Sequence, residues 1–361
     1  MDEIVVEDRP SSGCRFVGCL LGTALGDALG LPMERLSARR SQRLRGGVWR
    51  MSLILGRGMV SDDTEHTWMV AQSLLEAPAD VALFRRRLAH RFRWWLAALP
   101  AGVGKATAQA CIRLWLGISP ERSGVFSAGN GPAMRSAIIG AFFAHDEVKR
   151  REYVRASTRM THTDPKAEAG ALAVAEAAAW GMRGEGDAVE FVERVLPGCG
   201  TDEVWLTLCR QIREALAAGM TVRGFAESLG LSRGVSGYVY HTVPVALYAW
   251  LRHPGDFRVA VCAALDCGGD SDSVGAIVGG MAGVQVGVNE LPKEWITRLW
   301  EWPRGVKAMT RLGERLAEQR ATRRDAPSAP VGYFWPAIPL RNAVFLAVII
   351  LHGLRRLLPP Y

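Results

Sequence analysis

The chain has 361 residues, 49% of them apolar, which is enough for one large buried core and too apolar for a disordered chain. The formal charge is +8, but ten Lys/Arg and three Asp/Glu fall in residues 303–361, so the preceding body is close to neutral. No basic stripe with interleaved aromatics crosses that body, so nucleic acid is not an expected partner.

The opening MDEIVVEDRP is acidic and has no apolar run, so no secretory signal is expected. Seven cysteines, an odd number without CxxC spacing, argue against a disulfide framework or a zinc knuckle and for a reducing cytoplasm. Gly18, Gly22, Gly26 and Gly30 then recur at every fourth position, and late in the chain Gly275, Gly279, Gly283 and Gly287 do the same. A glycine inside a helix costs about 1 kcal/mol relative to alanine, so something must offset eight of them. Glycine at this spacing smooths one helix face and lets another backbone come close. Asp27 and Gln285 interrupt the stretches, which argues against membrane spans. The pattern predicts two buried central helices, and if they pack antiparallel, Glu34 comes to lie beside Asp272.

Further helices are predicted over 64–75, 81–99, 132–143, 166–182, 202–218 and 242–252 from apolar spacing near 3.6 residues. Alternating strand patterns are scarce and no fixed-period repeat is visible. The expected fold is a compact all-α orthogonal helical bundle, one domain over 12–323. The sequence DAPSAP (325–330) then opens a linker and tail, 324–361.

Two helix starts are crowded with acids. Ser61-Asp62-Asp63-Thr64-Glu65 precedes one helix, and Asp270-Ser271-Asp272-Ser273 precedes the second glycine helix. N-capping explains one Asp or Ser at each start, because a side-chain oxygen takes an orphan N–H. It does not explain two carboxylates, which repel each other unless a cation neutralises them. Hard cations such as Mg²⁺ or Mn²⁺ favour such oxygen donors. With Glu34, the donors suffice for two ions.

Six elements resemble, in order, the ADP-ribosylglycohydrolase family, which includes the dinitrogenase-reductase-activating glycohydrolase. They are GCLLGTALGDALGLPME (18–34), SDDT (61–64), GNGPAMR (129–135), THTDP (161–165), GYVYHTVPVALYAW (237–250) and GGDSDSVGAIVGGMAGVQVG (268–287). The resemblance covers about residues 13 to 300. It implies an all-α fold with two Mg²⁺ or Mn²⁺ ions at the bottom of an ADP-ribose cleft.

By motif, the implied metal ligands are Ser61, Asp62, Asp63, Asp270, Asp272 and Ser273, with Glu34 beside them to bind an ion or activate water. Glu34, Asp62, Asp63 and Asp272 are the implied catalytic set. Ser61 and Ser273 stand where members usually carry Thr, and keep the hydroxyl. Ser127, Gly129, Asn130 and Gly131, leading into a helix expected to start at Pro132, are the implied diphosphate cradle. His162 resembles the histidine near the ribose and phosphates, Tyr238 an aromatic on the adenine side, and Gly102 and Gly104 a loop lining the cleft. Some members place a catalytic aspartate at or near Gly102. Its absence shifts the expected base to Glu34 or to metal-activated water.

The implied reaction is hydrolysis of the glycosidic bond at the distal ribose, freeing ADP-ribose from a modified protein or a related small molecule. Two alternatives stand beside it: a non-catalytic ADP-ribose-binding or immunity protein, which would not need the metal motifs, and another binuclear-metal hydrolase such as a phosphatase, which would share the carboxylates but not need GNGPAMR or Tyr238. The tail, 331–361, lies outside the resemblance. Its apolar run, 343–351, falls short of the roughly 17–25 residues of a membrane span. With Arg341, Arg355 and Arg356 around it and Tyr333, Phe334 and Trp335 before it, the run reads as a terminal helix packed on the body, a peripheral membrane segment or a partner surface.

Overall fold

A computed structural model of the chain describes residues 11–185, 187–322 and 325–356. The opening segment 1–10 and the expected boundary at Arg323–Arg324 lie outside them. Eleven longer helices build the described body: α1 (Ser12–Gly30), α2 (Asp62–Glu76), α3 (Val81–Ala97), α4 (Lys105–Trp115), α5 (Glu147–Arg159), α6 (Pro165–Arg183), α7 (Glu203–Ala217), α8 (Val239–Arg252), α9 (Ser271–Val286), α10 (Val306–Ala321) and α11 (Ala337–Arg355). Shorter helical turns connect them, and the named strands are one two-residue pair, β1 (Leu36–Ser37) and β2 (Gly268–Gly269). The fold is all-α.

Local chemistry explains the helix limits. Ser11 caps α1 by accepting from the Cys14 N–H, and Asp80 caps α3 through the Leu83 N–H. Asp164 caps α6, Pro165 occupies its first turn, and Gly184 at φ 65° ends it. Two expectations needed correction. The helix expected over 132–143 is a short 3₁₀ turn, Ala133–Arg135, followed by the separate helix Ala137–Phe142. The helix expected from Thr242 starts at Val239 and carries Pro244 inside it, where the ring's missing N–H would ordinarily mark a boundary.

The two glycine helices are buried as their spacing predicted, and their ridges meet each other. α1 and α9 run antiparallel, so Gly18 faces Gly283, Gly22 faces Gly279 and Gly26 faces Gly275. A Cβ added at Gly22 would stand 2.2 Å from the Gly279 carbonyl oxygen, and one at Gly26 only 1.9 Å from that of Gly275. Backbone-to-backbone contact therefore offsets the helix penalty of glycine. Both helices are buried along nearly their whole length.

The tail forms α11, 19 residues long, where a run of nine was expected to fall short; by length and composition it is apolar enough to cross a membrane. It lies against the body. Ile338, Arg341, Asn342, Phe345 and Val348 share its buried face. Phe345 and Val348 pack with Leu31, Leu53 and Met59 in a small second core.

Candidate active site

Antiparallel packing of α1 and α9 brings the C-terminal end of one to the N-terminal end of the other. After α1 the chain makes a 3₁₀ turn, Leu31–Met33, and reaches Glu34. β1 then pairs with β2, and the Arg35 N–H donates to the Gly269 carbonyl at 2.7 Å. Only glycine fits at 269: its φ is +85°, and a Cβ would stand 2.0 Å from the Val235 carbonyl oxygen. This crossing sets Glu34 beside Asp270 and Asp272, with one oxygen of each within 4.8 Å of the others.

The third acidic segment is placed by Asp27. This carboxylate, fully buried on α1, accepts from the Ser61 N–H (2.9 Å), the Thr64 N–H (3.2 Å) and the Thr64 hydroxyl (2.6 Å). Ser61 accepts from the Asp63 N–H, so Ser61 and Asp27 together serve the start of α2. Capping thus does not occupy Asp62 or Asp63. At α9, Asp270 sits in the N-cap position but makes no side-chain cap bond; it accepts from the Asn130 amide at 2.6 Å. Asp63 Oδ2 accepts from the hydroxyls of Ser61 (2.9 Å) and Ser273 (3.3 Å), which links the early and late segments. Asp63 Oδ1 and Asp272 Oδ1 are buried with no hydrogen-bond partner. Such orphan oxygens are costly unless a ligand meets them.

Burial and mutual repulsion push these acids up. Asp62, Asp63 and Asp272 lie well above the ordinary carboxylate range, chiefly through burial and then through neighbouring carboxylates. Burial raises Asp270 despite its bond from Asn130, and raises Glu34 despite Arg35 beside it. Asp27 is pushed up to about 7 by burial, against the hydrogen bonds from Thr64 and Ser61. A cluster of this charge, with hydroxyls among its carboxylates, has the donor set of a divalent-cation site.

The acids line the floor of a cleft of about 440 Å³. Ser127, Gly129, Asn130, Gly131 and His162 line one wall, and Gly102 and Gly104 another. Gly129 and Gly131 leave room for the imidazole of His162, since a Cβ on Gly129 would stand 3.0 Å from its Nε2. Burial and then Arg135 hold His162 down at about 3, so it is neutral near pH 7. Arg135, itself fully buried, donates to the Gly131 carbonyl (3.1 Å) and to Thr161 Oγ1 (2.8 Å), tying the two wall segments together.

Two expected site residues stand apart from the cleft lining. Ser61 is buried behind it. Tyr238 is half-buried, pairs through its backbone with Gly129, and packs its ring on Tyr240 and His241. The loop ahead of Pro132 leads into the 3₁₀ turn, not into an α-helix N-terminus, so the expected helix-end cradle is absent at Pro132. Sequence reasoning missed Asp27 and Arg135, and also Lys105 and Ser236, which line the cleft. Asp27 had a signal: a charge inside an apolar glycine helix requires a buried partner.

An all-α body with a cleft over a sunken nest of carboxylates and hydroxyls defines a helical scaffold built around a candidate divalent-cation site. The chain belongs to the ADP-ribosylglycohydrolase family, whose model matches residues 9–326, and it is a glycosidic-bond hydrolase. An uncharacterized protein of Archaeoglobus fulgidus is 33% identical over 291 residues, 79% of this chain and 91% of that protein. The ADP-ribosyl-[dinitrogen reductase] glycohydrolase of Rhodospirillum rubrum is 27% identical, over 80% of this chain and 92% of its own. Among solved structures, an ADP-ribosylglycohydrolase-related protein complex superposes with a TM-score of 0.56 at 25% identity, covering 85% of this chain and 98% of that one.

Proposed function

We propose that this chain frees ADP-ribose from a modified protein side chain, or from a related small-molecule acceptor, in the reducing cytoplasm. The bond cleaved is the glycosidic bond at the distal ribose, and the reaction requires two divalent cations, Mg²⁺ or Mn²⁺. One observation carries this reading: carboxylates from residues 34, 62–63 and 270–272 share one cleft floor, and two of their buried oxygens have no partner. Neither helix cap accounts for them.

Glu34, Ser61, Asp62, Asp63, Asp270, Asp272 and Ser273 would hold the cations. Bound there, the cations supply charge neutralisation and Lewis acidity toward ribose hydroxyls and water. The residues do the rest. Glu34, at the edge of the cluster and pushed up by burial, accepts the proton of the attacking water at its carboxylate. Asn130 holds Asp270 in place through its amide. Ser127, Gly129, Asn130 and Gly131 face the diphosphate, with neutral His162 as a hydrogen-bonding neighbour of the ribose. Gly102 and Gly104 bound the opposite wall, and Tyr238 serves the adenine end from behind Gly129. Positive charge building on the sugar in an oxocarbenium-like state is met by the acidic floor.

The test is release of ADP-ribose from arginine-linked and serine-linked modified proteins, with Mg²⁺ or Mn²⁺ and with a chelator, alongside a generic phosphate ester. The expected result is release that stops with chelation and is lost with cation binding in Asp272→Ala. Full turnover by Asp272→Ala would overturn the proposal.

A further inference from the structure

The tail helix α11 lies beyond the region matched by the family model, yet its contacts fall on the two chain segments that deliver the early acids. Arg341 is almost wholly buried. Its guanidinium donates to the Val60 carbonyl at 2.6 Å and pairs with Glu301 at 2.7 and 3.0 Å. Glu301 in turn accepts from the Val60 N–H at 3.4 Å. The peptide just before Ser61 is therefore gripped on both sides by one buried ion pair. Arg341 also stands 3.5 Å from Glu65, in the first turn of α2, which accepts from Trp95 at 2.6 Å and pairs with Arg304. Two cations and two anions balance there, as buried charges require.

The far end of α11 grips the other segment. His352 Nε2 meets the Pro32 carbonyl at 3.0 Å, and Arg356 donates to the Pro32 and Glu34 carbonyls, the latter at 3.4 Å. Between the two grips, Phe345 and Val348 close the small core containing Leu31 and Met59. A helix segment of this kind is rigid over its length, since each turn is internally hydrogen-bonded.

We infer that α11 is a strut that sets the spacing between Glu34 and the Ser61–Asp63 segment, with Arg341 as a positioning residue for the cation site. This rests on the cation site proposed above. Residues that orient ligands from behind are expected to matter to metal affinity without touching the metal.

The test uses the full chain, stripped of metal, with Mn²⁺ binding measured by calorimetry below the unfolding temperature and kcat measured separately from KM. Arg341→Gln is expected to weaken Mn²⁺ binding roughly 10- to 100-fold and to lower kcat more than it raises KM. Arg341→Lys, which keeps the charge facing Glu301, restores part of the loss. Phe191→Leu, in a core formed with Trp180 and Trp250, lowers the unfolding temperature while leaving Mn²⁺ affinity unchanged. His352→Ala, at a half-buried position, removes one of the two side-chain bonds to the Pro32 carbonyl, the other coming from Arg356, and weakens Mn²⁺ binding by less than Arg341→Gln with little change in unfolding temperature, whether or not Arg341→Gln folds. If the parent chain binds Mn²⁺ and both His352→Ala and any folded Arg341→Gln bind it equally well, the strut is refuted and the cation site stands. If the parent does not bind Mn²⁺, the site and the strut fall together.

Discussion

Gly26→Ala tests the packing that everything else at the site depends on. In an isolated helix the change would stabilise by about 1 kcal/mol. Here the new Cβ would stand 1.9 Å from the Gly275 carbonyl oxygen, whereas real Cβ contacts do not fall below 3.0 Å. The α1 and α9 backbones must then separate locally by about 1.1 Å. No rotamer can relieve the clash, because both partners are main chain. Overpacking of this kind costs about 1–3 kcal/mol, and a contact between two main chains belongs at the upper end, so the net effect is a destabilisation of up to about 2 kcal/mol after the helix gain is subtracted. The same displacement moves Glu34 relative to Asp272, and misplacement by about 1 Å can lower turnover roughly 100-fold. Gly13→Ala is the matched control: it lies on the same helix, and its nearest neighbours would be 3.9 Å away. Urea unfolding followed by far-UV circular dichroism, with ADP-ribose release on the folded fraction, measures both effects. If Gly26→Ala proves as stable and as active as Gly13→Ala, the backbone-contact argument is wrong.

Two further outcomes follow from buried charge. The site acids, including Asp27 at about 7 against an ordinary 3.8, are raised in the folded chain, so between those pH values the native state binds more protons than the unfolded one. The depressed histidines, His66 and His162 among them, act in the opposite direction up to their ordinary 6.5, so the metal-free protein should lose stability as pH rises from about 6.5 through about 7, and Mg²⁺ or Mn²⁺ should stabilise it more at the higher pH; an unfolding temperature that rises with pH across that interval without metal would contradict this. Arg150 and Glu176 form a two-bond ion pair at 3.0 and 2.8 Å with both side chains buried, away from the cleft. Arg150→Met should cost about 3–5 kcal/mol by stranding Glu176, and Arg150→Met with Glu176→Leu should recover most of it, as urea titration would report.

Periodicity alone carried the helices and their approximate ends, because apolar spacing and capping are local. The glycine ridges carried more: spacing by four on two distant stretches predicted two buried, closely packed helices, and the antiparallel pairing that brings Glu34 to Asp272 was a condition that the fold met. The acids at residues 61–63 and 270–273 were legible because two carboxylates exceed what a cap needs. Local signals failed where a non-local partner decided. Pro132 looked like a helix start, but the chain there makes a 3₁₀ turn, with Arg135 bound to Gly131 and Thr161. Asp27 looked like an interruption of an apolar helix, and it is the acceptor that holds the start of α2.

The tail shows the limit most plainly. Its apolar run and flanking arginines are compatible with a docked helix, a membrane segment or a partner surface, since composition does not say what covers a face. Only the fold set Arg341 against Glu301 and Val60, contacts 40 and 281 residues apart along the chain. Composition and spacing determined that this chain would be helical, bury two glycine ridges and concentrate acids at helix starts. Which charges meet, and which segment props up which, was decided in three dimensions, because a buried ion pair is specified by two partners that the sequence alone does not bring together.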